Sequence, residues 1–382
     1  FIFSEDFNSK DTNIRLFINA SFVHDISHII FRNSDKTINN KFSIHKIELL
    51  ESDENFDDSL EQINSKKFEY FHEIPNELNV DSISTTEVCN LECVMCHFNG
   101  PNVEKKNGTL RIDQVKKILD TMKPGQSIMF TATGDFLMDK NLSLYLKMAN
   151  ERGLLPEIHT NGTLLKPVLI DELLNYNLKK IRISVDSTDP KQYAKIRRGG
   201  KLEDILSAIK YLNYKKKQFP NFKIEINCTL FKNTFNKQFE MEDFWRDKRV
   251  DSLSFNSEYY NSIKHRNIFF PPKKRKNCEI KSYFLPNGKI APCCATCVVQ
   301  HERDLDWLPK IDDYDNLVDA QADLVKMYND PNSELRNICK ECHWWMISDK
   351  KQTGYIRIVD FNKNRKELNK SFFSTIKNYI IN

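Results

Sequence analysis

The chain has 382 residues, 40% of them hydrophobic, with 57 Lys and Arg set against 53 Asp and Glu. That much apolar material supports a substantial core and excludes a disordered chain, and charges so evenly interspersed, short basic runs such as PPKKRK at 271–276 aside, call for neither nucleic acid nor an anionic membrane. No apolar run approaches the roughly 20 residues that span a bilayer, and no signal-peptide pattern follows Phe1, so the ten cysteines are expected to be metal ligands, catalytic groups or buried thiols in a reducing cytoplasm.

Residues 1–78 carry two strand-like runs, NIRLFINASF and HIIFRNSD, and an acidic connector, ESDENFDDSLEQ, at 51–62. They are expected to form either a small β-rich or mixed accessory domain or a module that recognises substrate or partner. From residue 81 the pattern becomes regular. Short runs rich in β-branched residues at 81–88, 127–135, 155–162, 179–187, 223–231 and 251–258 alternate with segments of helical period at 111–123, 141–153, 166–177, 201–218 and 236–249. Leu202, Ile205, Ile209 and Leu212 make one apolar stripe of a helix. Six strands joined by five crossovers predict a parallel sheet, with ligands at the loops that follow the strand ends.

After residue 270 the sequence turns loop-like, and six of the ten cysteines fall between 278 and 342. A segment with so little apolar material gains stability by ligating metal. Three domains and a tail are therefore expected: an accessory domain at 1–78, the parallel α/β domain at 79–270, a metal-bearing domain at 271–346 and a C-terminal tail at 347–382.

Cys89, Cys93 and Cys96 lie after the first strand, with three and then two residues between them. Thiolates hold iron-sulfur clusters and zinc, and three of them on a 4Fe-4S cube leave one iron open to a reactive ligand. A zinc knuckle or three buried thiols is the alternative. The segment CNLECVMC resembles the signature of the radical S-adenosylmethionine (SAM) enzymes, in which SAM chelates the unique iron of the cluster. That resemblance implies a partial (β/α)6 barrel, reductive cleavage of SAM to a 5'-deoxyadenosyl radical, and hydrogen abstraction from substrate. It carries Met95, inside the motif, to the cofactor.

By the same resemblance TGDF, at Thr133, Gly134, Asp135 and Phe136, stands where the family has a Gly-Gly-Glu-Pro-like turn that holds the ammonium of SAM. Asp135 replaces the usual Glu. HTNG brings His159 and Asn161 near the cofactor, and SVDS brings Ser184 and Asp186 to its ribose or carboxylate. Arg197, in YAKIRRGG, would pair with the SAM carboxylate, where a planar fork of donors suits two oxygens. Loop-cap and solvated-helix roles are the alternatives for Asp186 and Arg197. Asn227 either faces SAM or hydrogen-bonds within the core, and Cys228 beside it is expected to be a buried small hydrophobe.

Cys278 is followed by nine residues, Gly288, four residues and Cys293, and Cys339 by two residues and Cys342. Gly288 suits a tight hairpin with positive φ. The arrangement resembles the twitch domain, a shortened SPASM domain with one auxiliary 4Fe-4S cluster. It implies ligation by Cys278, Cys293, Cys339 and Cys342, with zinc as the alternative. Cys294 or Cys297 is able to replace Cys293 or take a further metal, and Trp344 and Trp345 either cover the cluster or pack in the core.

Two 4Fe-4S clusters and SAM are thus the expected cofactors, and an electron donor such as flavodoxin or ferredoxin the expected partner. The expected activity is oxidation or epimerisation of a carbohydrate- or aminocyclitol-type substrate. The alternatives are maturation of a ribosomally made peptide and a non-catalytic, metal-stabilised binding protein. No catalytic acid or base is assigned.

Overall fold

The computed structural model describes residues 73–101, 103–231, 234, 237–257, 280–294, 296–297, 305–341 and 357–362. All fall in the second of the two units into which the chain divides, Phe68–Asn382. The strand-like runs before residue 73, Cys278, Cys342, Trp344 and Trp345 lie outside them.

The six expected strands are present. They are β1 (Val80–Ser84), β3 (Ser127–Thr131), β4 (Leu155–Thr160), β5 (Lys180–Ser184), β7 (Lys223–Leu230) and β8 (Ser252–Ser257). They pair in that order, all parallel. Between them run α1 (Ile112–Asp120), α2 (Leu142–Glu151), α3 (Pro167–Leu174), α4 (Pro190–Ile196), α5 (Leu202–Lys215) and α6 (Gln238–Asp247). Five of these are the expected crossovers. The extra one, α4, starts because Asp189 accepts a hydrogen bond from the Gln192 amide and Pro190 presets the first turn.

Alternation along the strands divides the sheet into two chemistries. Ile181 and Ile183 of β5, and Ile224, Ile226 and Cys228 of β7, are buried in the hydrophobic core, as are Leu202, Ile205, Ile209 and Leu212 of α5. The alternate positions, Lys180, Arg182 and Ser184 on β5 and Glu225 and Asn227 on β7, take the opposite face. Parallel strands buried on both faces usually carry continuous apolar runs, so a polar inner face marks these strands as the walls of a polar lumen.

The sheet extends past the six strands at both edges. Beyond β1, β9 (Ser282–Phe284) adds in parallel and β10 (Ile290–Ala291) folds back on it antiparallel. Gly288 turns this hairpin at φ +80°, the left-handed conformation that the sequence spacing suggested. Beyond β8, β11 (Arg357–Asp360) pairs antiparallel, so part of the segment expected as a tail is an edge strand. Helices α7 (Leu317–Asn329) and α8 (Glu334–Glu341) complete the described segment. Gln321 of α7 ties them to the barrel, accepting from the Asn79 amide at 2.7 Å and donating to the Ile280 carbonyl at 3.2 Å.

Truncating the α5 stripe should cost more than any change on its outer face. Ile205→Ala, at a fully buried side chain, is expected to lose about 2–5 kcal/mol in chemical unfolding. Tyr214→Ala, at a side chain 61% exposed, should stay within about 0.5 kcal/mol of the parent.

Candidate functional site

The cysteine loop leaves β1 along a path set by the TGDF turn. Gly134 donates its amide to the Thr86 carbonyl at 3.1 Å, and Asp135 donates to Val88 at 2.8 Å. A Cβ on Gly134 would stand 2.1 Å from the Val88 carbonyl oxygen, so only glycine lets the two segments touch. Asn99 closes the loop from the far side. Its buried amide donates to the carbonyls of Thr133 at 3.2 Å and Glu87 at 3.4 Å, and its backbone N–H points at Cys96 Sγ at 3.2 Å. Nothing in the sequence reading singled out Asn99, whose side-chain amide binds two carbonyls that only the fold brings together.

A short antiparallel ladder anchors the middle of the loop. Strand β2 (Glu92–Cys93) pairs with β6 (Arg197–Arg198), so that Cys93 stands opposite Arg197. The Arg197 guanidinium is buried, with Nε 2.7 Å from Asp186 Oδ2 and Nη1 3.9 Å from Cys93 Sγ. Burial opposes its charge, but the facing Asp186 and the Cys93 sulfur more than offset that and raise its pKa. The other Asp186 oxygen accepts the Thr229 amide at 2.8 Å, which joins the end of β5 to β7.

Cys89, Cys93 and Cys96 all line one cavity of about 210 Å³ at the carboxyl ends of the strands. Met95, Thr133, Gly134, Asp135, His159, Asn161, Ser184 and Arg197 line it as well. Five chain segments far apart in sequence thus converge where the strand signals placed them. Leu91, Asn99, Thr131, Ala132 and Thr160, which the sequence reading did not name, complete the wall. Asp186 and Asn227 are absent from it. Asp186 stands behind Arg197, and Asn227, in register with Ser184 of the wall, accepts a hydrogen bond from Asn256 at 2.6 Å.

Asp135 is almost fully buried, and its oxygens accept from Thr160 Oγ1 at 2.8 and 3.0 Å, the Asn161 amide at 2.6 Å and the Leu137 amide at 3.0 Å. All four contacts are internal to the fold. The group with capacity left at this turn is Thr133 Oγ1, which is buried, lines the cavity and has no hydrogen-bond partner among the described residues. Asn161 donates to Asn90 Oδ1 at 2.9 Å and sits 4.0 Å from Cys89 Sγ. His159 Nε2 and Ser184 Oγ are 2.9 Å apart.

The donor set suits a multi-iron group better than a lone ion. Burial pushes the Cys93 thiol up to about 12 and raises Cys89 as well, so thiolates here require a strongly cationic partner beyond Arg197. Among the described residues no three His, Cys, Asp or Glu side chains converge as ligands of one ion. Three thiols that surround a cavity without meeting at a point match a cluster that presents a separate iron to each.

In the C-terminal segment, Cys293, Cys294 and Cys297 lie near one another around Tyr283 and Asp81, and no disulfide joins any of the described cysteines. Burial, and then these neighbouring sulfurs, raise the Cys297 pKa. Cys339 stands on α8, packed partly buried against the core.

A parallel α/β partial barrel with a three-thiol cofactor loop at its strand ends is the architecture of a cofactor-dependent catalyst. Residues 83–242 match the family model of the Radical SAM superfamily, and over that span the chain is a radical SAM domain. Members of that family use a 4Fe-4S cluster and SAM. A probable GTP 3',8-cyclase of Methanococcus maripaludis is 30% identical over 129 residues, 33% of this chain and 43% of that protein. A GTP 3',8-cyclase of Tolumonas auensis is 26% identical over 174 residues, 45% of this chain and 50% of that protein. The chain spans about half the length of these curated relatives. Among solved structures, native anSMEcpe with bound AdoMet matches with a TM-score of 0.52 at 15% identity, over 78% of this chain and 97% of that one. Streptococcus suis SuiB bound to precursor peptide SuiA matches with a TM-score of 0.51 at 16% identity, over 81% and 79%. At such identities the likeness is one of fold. Among the described residues no helix is long and apolar enough to cross a membrane.

His159 gives this site a pH signature. Burial, and then Arg182, Arg197 and Lys180, hold its pKa down at about 3, against about 6.5 in an unfolded chain. Between those values only the unfolded state binds the proton, so the stability from the neutral ring is present above pH ~6.5 and is lost as pH falls toward ~3. Chemical unfolding at pH 7 and pH 4 should show a smaller acid loss in His159→Asn than in the parent. Equal losses would mean that His159 is protonated in the native state.

Proposed function

We propose that this chain is a radical SAM enzyme whose three-cysteine loop holds a 4Fe-4S cluster and whose cavity holds SAM. The observation that carries this reading is the convergence of Cys89, Cys93 and Cys96 on a cavity whose wall retains an unspent hydroxyl and a buried guanidinium. When bound and reduced, the cluster supplies the electron that cleaves SAM to methionine and a 5'-deoxyadenosyl radical, which takes a hydrogen atom from substrate. The chain's own residues place that chemistry. Arg197, fixed by Asp186, turns its remaining donors toward the SAM carboxylate, and Thr133 Oγ1 takes over the contact expected of the acidic turn residue. Neutral His159, with Ser184, supplies hydrogen bonds beside the cofactor without adding charge.

The substrate in this reading is of carbohydrate or aminocyclitol type, and the reaction an oxidation or epimerisation. The two curated relatives named above are by name cyclases of GTP, a nucleoside triphosphate, which favours a small substrate over a peptide. Cys278, Cys293, Cys339 and Cys342 are the proposed ligands of a second 4Fe-4S cluster, in a C-terminal domain at 271–346. An external donor such as flavodoxin or ferredoxin, in a reducing cytoplasm, would deliver the electrons. Residues 1–78 are proposed as an accessory domain.

Anaerobic incubation with dithionite and SAM should yield 5'-deoxyadenosine from the parent and none from the triple Cys89→Ala, Cys93→Ala, Cys96→Ala variant. Cleavage that survives in the triple variant would sink the assignment. A charge-assisted contact to the SAM carboxylate contributes about 1.5–3 kcal/mol, so Arg197→Ala should weaken SAM binding roughly tenfold to more than a hundredfold. Arg198→Ala, at the exposed partner of Glu92, should change it little.

Iron content tests the second site. Replacing Cys339 and Cys342 by Ala should lower iron from about eight toward about four atoms per chain and leave SAM cleavage intact. About four iron atoms in the reconstituted parent, with zinc beside them, would remove the second cluster.

A further inference from the structure

The barrel lumen below the cofactor cavity contains a charged network that the SAM site does not use. (β/α) barrels ordinarily fill their interior with branched apolar side chains. Here Arg182 of β5 stands between His159 of β4 and Glu225 of β7 in adjoining registers. It lies two residues, roughly 6.6 Å along the strand, below Ser184 in the cavity wall. Glu225 is 2.6 Å from Arg182 Nε and 3.5 Å from Lys180 Nζ. Glu157 is 2.8 Å from Lys180 Nζ and 3.3 Å from Lys179 Nζ. Three cations therefore face two carboxylates.

Removing charges from water is costly, and a purely structural network is expected to satisfy every donor it buries. This one does not close. Arg182 Nε stands 2.6 Å from Glu225 yet is buried without a hydrogen-bond partner among the described residues, and its side chain is 30% exposed. The surplus cation, Lys179, is 45% exposed ahead of β5, so what faces the region below the reactive site is the unsatisfied guanidinium of Arg182, a planar donor group suited to an oxyanion. Higher on the same face, Asn256 donates to Asn227 at 2.6 Å, which leaves Asn227 Nδ2 and Asn256 Oδ1 for hydroxyl groups.

We propose that the lumen binds the anionic group, phosphate or carboxylate, of a hydroxyl-bearing substrate, with Arg182 as the residue that sets this specificity. The proposal rests on the radical SAM reading of the cavity above it and narrows its substrate class. A guanidinium in this position disfavours the free ammonium of an unmodified aminocyclitol beside it.

The test is anaerobic calorimetry on the reconstituted full chain with SAM bound, titrated with ribose 5-phosphate, gluconate and ribose. At least one of the two acids should bind tenfold or more tighter than ribose, and which one does so distinguishes phosphate from carboxylate. Arg182→Gln should bring that acid to the level of ribose, and Arg182→Lys, which keeps the charge but not the fork, should fall between. Equal binding of all three probes, no measurable binding of either acid, or an acid preference retained by folded Arg182→Gln would overturn the proposal. If Arg182→Gln does not fold, the parent's preference and the Arg182→Lys value decide. A parallel SAM titration of the parent separates the two claims: SAM binding without acid preference sinks only the lumen receptor, and failure to bind SAM sinks the reading it rests on.

Discussion

The site depends on one buried ion pair, Arg197 with Asp186. Asp186 follows the end of β5 by two residues and fixes β7 through the Thr229 amide, while Arg197 belongs to the ladder that holds Cys93. One pair of side chains therefore ties the cysteine loop to two strands of the barrel. Neither charge is affordable alone, since breaking a buried pair leaves an uncompensated ion at a cost of about 3–5 kcal/mol. Position follows from that constraint. With Cys93 tied to β6 and the TGDF turn pressed on Val88, the loop has little freedom to drift from the strand ends.

The same strands serve two environments through a period of two. Their outward residues, Ile181, Ile183, Ile224 and Ile226, pack in the core and stabilise the fold. Their inward residues are ionic at the middle of the strands and hydrogen-bonding near the cavity. Stability and chemistry are thus carried by alternate residues of one segment. Substitutions on the inner face are able to change ligand preference without emptying the core.

Much of this was legible in the sequence. Cys89, Cys93 and Cys96 are close in the chain, so their spacing alone announces a shared ligand, and the six strand signals give the order in which later motifs reach the cavity. What pairs with what across the fold was not legible. Asp186 was read by resemblance as a cofactor contact, with a loop cap as the alternative, and its carboxylate faces Arg197, eleven residues on, and the Thr229 amide. Asp135 was given the ammonium of SAM by analogy, whereas the turn of its side chain toward Thr160 and Asn161 depends on a neighbouring strand. The hairpin around Gly288 was expected, but the parallel docking of β9 on β1 and the strand β11 were not, because these short strands gain their hydrogen bonds from the edges of a sheet formed elsewhere. Arg182 and Glu225 were invisible as a pair, since only registry between β5 and β7 brings them together.

The most direct measurement of the central claim is electron paramagnetic resonance of the dithionite-reduced protein, with Cys339 and Cys342 replaced by Ala so that one cluster is observed. A cluster held by Cys89, Cys93 and Cys96 has one iron open to SAM, so adding SAM should shift its spectrum. A 4Fe-4S signal from that protein that is unchanged at saturating SAM would contradict the account.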